Sequence, residues 1–196
     1  MDNAPEHEHR IAELYLEIIN RYRDHIEAHE RLSVADMPSL VTPDNEAVRL
    51  KAEWIKSSVA AAYDYSADFY KASLMALEFV GREIERVIMP VRFWLLPEET
   101  LRLMAGDDVD KCTLLCSLLI SMGNQFAKVL IHAHSGSIDA FVYFPIEGAW
   151  HLFSPDGRAE TFADKESVFV RLGKPIEPDS DDALYDFNNI AYDNIV

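Results

Sequence analysis

The stretch from Asp107 to Gly123 constrains the fold most. After a pair of aspartates, Leu114, Leu115, Leu118, Leu119 and Met122 recur at helical spacing, and a glycine follows. Aspartates there cap free amides and complement the helix dipole, while glycine accepts the left-handed backbone that stops a helix. A helix this apolar has to be buried, so the rest of the chain must supply what covers it. Upstream, the periodicity is helical throughout. Ile11, Leu14, Ile18, Tyr22 and Ile26 form one stripe of a long amphipathic helix. A second helix is expected from Thr42-Pro43-Asp44, with Ala47, Leu50, Trp54 and Val59 turned inward. A third is expected from near Ser66 through Tyr70, Leu74, Leu77, Val80, Ile84 and Val87, ending at Met89-Pro90. Then come an extended piece, Val91 to Leu95, and a short helix opened by Leu96-Pro97-Glu98-Glu99 that stops before Gly106.

After Gly123 the pattern changes to short β runs: Ala127 to His132, Asp139 to Phe144, and Ala149 to Phe153, the last two joined as a hairpin at Glu147-Gly148. Asp156-Gly157 is a further turn signal, and Val168 to Val170 suits either a strand or the end of a short helix. The fold class is therefore α+β, with N-terminal helices and a buried helix packed on an antiparallel β-sheet. One domain is expected over 1–196. It divides into a helical part at 1–90, a core at 91–175, and an acidic tail at 176–196 whose Tyr185, Phe187, Ile190 and Tyr192 are available to pack back.

With 18 Lys and Arg against 34 Asp and Glu, the net charge of -16 repels phosphates and anionic lipid, and no basic cluster offsets it. Nucleic acid and membrane are not expected partners. The acidic N-terminus lacks the basic and apolar regions of a secretory signal, which implies a cytoplasmic protein. The apolar stripe of the N-terminal helices suits either a lid or a homo-oligomer interface. Cys112 and Cys116 lie four apart on one helix, so buried free thiols are expected rather than a disulfide. His132 and His134 alternate onto one strand face and could meet a cation, although paired histidines near a strand end are common as surface residues. His151 reads as a partly exposed sheet residue.

The segment from about Phe93 to Pro155 resembles the transglutaminase-like family of the papain-like thiol fold. Its matching stretches are Pro97-Glu98-Glu99-Thr100-Leu101, Gly106-Asp107-Asp108-Val109-Asp110-Lys111, Leu114-Leu115 with Leu118-Leu119, Gly123, Asp139-Ala140-Phe141-Val142, and Trp150-His151-Leu152-Phe153-Ser154-Pro155. The resemblance implies a cysteine at the helix N-terminus, a histidine on the adjacent strand and an aspartate that orients it. Here those positions carry Asp108, Asp139 and Ser154, which leaves no nucleophile, base or orienter for a thioacyl intermediate. Thiol catalysis is not expected, and the triad positions count as no catalytic site.

Asp107, Asp110 and Trp150 are further cleft candidates on the same resemblance. If Asp108 and Asp139 met about 4 Å apart they would repel by about 4 kcal/mol at an effective dielectric of 20. They would then share a proton, bind a divalent cation, or turn apart. Two functions follow. The first is a catalytically inactive domain, a pseudoenzyme, that holds a protein partner as a binding or scaffolding module. The alternative is a hydrolase that uses an Asp108/Asp139 acid-base or divalent-cation site. No other cofactor is expected.

Overall fold

The computed structural model describes residues 15–16, 34–88, 94–134, 136–173 and 182–195. The expected first helix lies outside the described residues except for Tyr15 and Leu16, which are helical. A 3-10 helix, Val34–Leu40, leads into α1, Glu46–Val59, and α2, Tyr65–Glu83. A two-residue strand β1, Glu85–Arg86, then precedes α3, Pro97–Leu103, and pairs in parallel with β2, Ala105–Gly106. The long buried helix is α4, Asp108–Ser121. It is followed by β3, Lys128–His134; β4, Ser137–Ile146; β5, Ala149–Phe153; β6, Ala159–Phe162; α5, Lys165–Arg171; β7, Ala183–Phe187; and β8, Tyr192–Asn194. β3 to β8 form one antiparallel sheet in the order β6-β5-β4-β3-β7-β8.

The α+β class expected from the sequence is the observed one. α4 is covered by α1, α2, α3 and one face of the sheet. From Val109 to Ile120 every residue is buried. Strand alternation divides the sheet: Val129, Ile131, Ala140, Val142 and Phe144 meet the helices, while Leu130, Tyr143, Leu152 and Leu184 meet α5 on the other face. The Glu147-Gly148 turn has positive φ at both residues, 52° and 79°, as a two-residue hairpin of this kind requires. Residues 165–171, where the sequence allowed strand or helix, are helical, with Asp164 accepting the Ser167 amide proton.

Three expectations need correction. α1 starts at Glu46, capped by Asn45 rather than by Thr42, and buries Val48, Ala52 and Ile55, whereas Leu50 and Trp54 are 65% and 51% exposed. Two apolar stripes run along this helix, and α4 selects the smaller one because a close helix contact needs short side chains. α2 ends at Glu83, well before Pro90, because the β1 amides turn to β2: Glu85 N–H donates to the Met104 carbonyl at 2.9 Å and Val87 N–H to Gly106 at 3.0 Å. His151 is buried against the rings of Tyr70 and Phe144, 4.8 and 5.4 Å away between centroids. In the tail, Ala183–Phe187 pairs with β3 inside the sheet.

Asp186, which is fully buried, holds that strand in place. It accepts from the Tyr143 hydroxyl and from Lys128 Nζ, and Lys128 also reaches Asp193 on β8 at 2.5 Å. Burial, and then the Asp186 carboxylate beside it, push the Tyr143 hydroxyl far above its usual pKa, so Tyr143 stays a donor. Asp186→Ala leaves that hydroxyl without its acceptor and should cost about 3 kcal/mol in urea unfolding, whereas Tyr143→Phe, which keeps the lysine pair, should cost about 1 kcal/mol.

Burial lowers the pKa of His151 below its ordinary value. The unfolded chain therefore takes up this proton first as the pH falls. Stability present above about pH 6.5 should be lost as the pH falls through the lower, folded value. Unfolding curves between pH 7 and 5 should show a shallower loss for His151→Phe than for the unsubstituted chain.

Candidate functional site

A cleft of about 570 Å³ opens at the N-terminal end of α4, between the end of α2, β1, the start of β4 and the turn after β5. Asp108, Asp139 and Ser154 all line it. The positions that the resemblance singles out are thus brought to one place by three separate elements. Asp107, Asp110 and Trp150 are not among its lining residues. Trp150 stacks instead on Tyr143 at 5.5 Å, on the α5 side of the sheet.

Asp107 and Asp110 build the helix end on which the cleft rests. Asp107 caps α4 by accepting the amide protons of Val109 and Asp110 at 2.8 and 2.9 Å. Asp110 is fully buried and reaches back to accept from the amides of Asp107 at 2.8 Å and Leu95 at 2.7 Å. Burial, and then the charge of Asp107, raise the Asp110 carboxyl well above the usual carboxylate range. Gly106 is required beside it, because a β-carbon there would stand 2.7 Å from that of Asp110. Lys111, buried one residue on, donates from Nζ to the Ile84 carbonyl at 3.0 Å and so ties α4 to the chain leaving α2.

Asp108 and Asp139 do not form a pair. Arg86 forks onto Asp108, with Nε to Oδ1 at 2.7 Å and Nη2 to Oδ2 at 2.6 Å. This bidentate pair, first by its hydrogen bond and then by its charge, raises the Arg86 guanidinium pKa further. Asp139 takes His134, whose Nε2 lies 2.8 Å from Oδ2. Each of the two carboxylates thus has its own partner, a guanidinium for Asp108 and an imidazole for Asp139. Among the described residues, Asp139 belongs to a cluster of three with His132 and His134, whose ligand atoms lie within 4.8 Å of one another.

Both thiols are buried and free. Burial, then the charges of Asp108 and Asp107, push the Cys112 thiol well above its usual value, and burial does the same to Cys116. Neither offers a thiolate to the cleft.

Several cleft residues gave no periodic signal. Arg86 was hidden in what read as a continuing helix, and only its two-residue strand turns it toward Asp108. Gly81 and Gly157 let α2 approach the turn after β5: a β-carbon on Gly81 would stand 3.0 Å from the Gly157 Cα. Ser154 opens that turn, accepting the Gly157 amide proton at 3.0 Å and donating its own to Arg158 at 2.9 Å. Arg82, Lys111 and Arg158 join Arg86 in the cleft, matched by Glu85, Asp108, Asp139 and Asp156.

The sequence matches no described protein family and no curated protein. By structure, the chain has a transglutaminase-like fold. The solved structures similar to it include three of Legionella pneumophila LapG: an EGTA-treated form with a TM-score of 0.53, a calcium-bound form with 0.52 and a further form with 0.51. Identity is 14%, 15% and 14%, and the alignments cover 84% of this chain and 86% to 88% of LapG. At that identity the likeness establishes the fold alone.

The Arg86–Asp108 pair is half exposed and therefore worth at most about 1 kcal/mol, so Asp108→Asn should move the urea midpoint little. Asp110→Ala leaves two amides without acceptors and should cost about 3 kcal/mol in the same measurement.

Proposed function

We propose that this chain is a transglutaminase-like domain without thiol catalysis, which uses the cleft at the N-terminal end of α4 to hold a segment of a protein partner. The observation that carries this reading is the Arg86–Asp108 fork. At the position where the resemblance calls for a thiol stands a carboxylate already held by two hydrogen bonds. A carboxylate cannot form a thioacyl intermediate, and the chain's two cysteines are sealed in the core. The cleft remains open all the same.

Its composition suits a peptide better than a small apolar ligand. Four basic and four acidic side chains line it in a chain whose net charge is -16, so the cleft is charge-balanced within an acidic molecule. Side chains of both signs in one cleft supply register and specificity through complementary charges on a partner segment. The edge strand β6 begins at the same turn and, among the described residues, has no sheet neighbour on its outer side. An extended segment can pair with such an edge.

The hydrolase alternative requires Asp108 and Asp139 to act on one proton or one ion. Each has a different partner, and a carboxylate dyad depends on the two sharing a site. A calcium ion, as in the calcium-bound LapG, would need about six to eight oxygen ligands, and a carboxylate forked to an arginine is a poor contributor to that set.

The test is a displayed random-peptide library selected on the whole chain and on its Arg86→Glu variant, with the selected peptides then incubated with the chain and analysed for cleavage. The expected result is a family of peptides that bind the unsubstituted chain, lose at least about tenfold in affinity on Arg86→Glu, and remain intact. Cleavage that Asp108→Asn abolishes would establish the hydrolase, and failure to select any cleft-dependent peptide would overturn the binding module.

A further inference from the structure

The two histidines of β3 form a cluster that the cleft reading does not use. His132 and His134 are two apart on one strand, so both rings project from the same face, 4.5 Å apart between centroids. Antiparallel pairing sets Asp139 of β4 directly opposite His132, and its Oδ2 lies 2.8 Å from His134 Nε2. One ligand atom from each of the three lies within 4.8 Å of the others. A tetrahedral ion with bonds of about 2.0 to 2.1 Å holds its ligands about 3.3 Å apart, so the widest pair has to close by at most about 1.5 Å, within reach of side-chain rotation.

The backbone needs no movement. β3 is paired on both sides, with His132 opposite Asp139 on β4 and opposite Leu184 on β7, which fixes the ligand-bearing strand before any ion arrives. Two imidazole nitrogens and one carboxylate oxygen suit a borderline ion such as Zn²⁺ or Co²⁺, whereas Ca²⁺ takes oxygen ligands in larger number. The side chains of His134 and Asp139 are 34% and 53% exposed, so a fourth position faces water. We propose that His132, His134 and Asp139 form a site for a divalent first-row transition-metal ion, held by three protein ligands with an exchangeable water as the fourth. Because Asp139 also lines the cleft, that water would stand at the cleft rim.

The test uses the full chain, stripped by chelator, with Zn²⁺ titrated by calorimetry and Co²⁺ followed by visible absorption. His7, His9, His25 and His29 would compete for metal, so the reference protein carries glutamine at these four positions, while the buried His151 is kept. The expected result is one equivalent of Zn²⁺, the intense visible bands of four-coordinate Co²⁺, and affinity at least about tenfold weaker in His134→Gln and in Asp139→Asn separately. Excess Ca²⁺ should leave the Zn²⁺ isotherm unchanged. Both substituted side chains are partly solvent-exposed, and an unchanged metal-free melting curve shows that the fold is kept. Absence of Zn²⁺ binding by the reference protein, binding that survives both substitutions, or displacement by Ca²⁺ would overturn the site.

Discussion

The structure depends on how the buried N-terminus of α4 satisfies its amides. The first turn of any helix leaves amide protons without intrahelical acceptors, and inside a protein water is not there to take them. Asp107 accepts two of these protons, and Asp110, from within the helix, reaches back to accept those of Asp107 and Leu95. Burying Asp110 is costly because its carboxyl group leaves water, and the two amide donors offset part of that cost. The result is rigid: α3 is tied to α4 through Leu95, β2 is held where only glycine fits, and β1 is placed by pairing with β2.

The cleft follows from that arrangement. Once β1 lies beside β2, Arg86 is delivered to the end of α4, where Asp108 meets it in a fork. An aspartate in the first turn already gains from the helix dipole, and the guanidinium satisfies both of its oxygens. The electrostatics of this helix end stabilise an ion pair. The positive end of the helix favours a negative charge, whichever group carries it.

Much of this was legible in the sequence where the signals are local. The bounds of α4 follow from its aspartates and Gly123, and the β4–β5 hairpin from Glu147-Gly148. The register that brings Asp108, Asp139 and Ser154 to one cleft was carried by the resemblance rather than by periodicity. What failed depended on distant partners. Leu50 and Trp54 form a plausible core stripe on α1, yet the face that meets α4 is Val48, Ala52 and Ile55, and the choice belongs to α4. Trp54 instead shares Lys51 with Phe79, the ammonium lying 4.3 and 3.5 Å from the two rings. Ile84 and Val87 keep helical spacing but are buried by a strand. Asp186 reads as a tail charge until Lys128 and Tyr143, 58 and 43 residues away, surround it.

The same distinction governs the two carboxylates of the cleft. Sequence places Asp108 and Asp139 together and so predicts a conflict between like charges, which in isolation is correct. The conflict disappears because the fold brings one partner to each from a different direction: Arg86 from the strand after α2, and His134 from the far side of the β3–β4 hairpin. Neither partner could be assigned from spacing, since one lies 22 residues before its carboxylate and the other is set by strand register. Like charges that line one cleft are therefore poor evidence of catalysis until their partners are known. In this chain the partners separate the two aspartates into an ion pair at the helix end and a histidine-rich cluster at the rim.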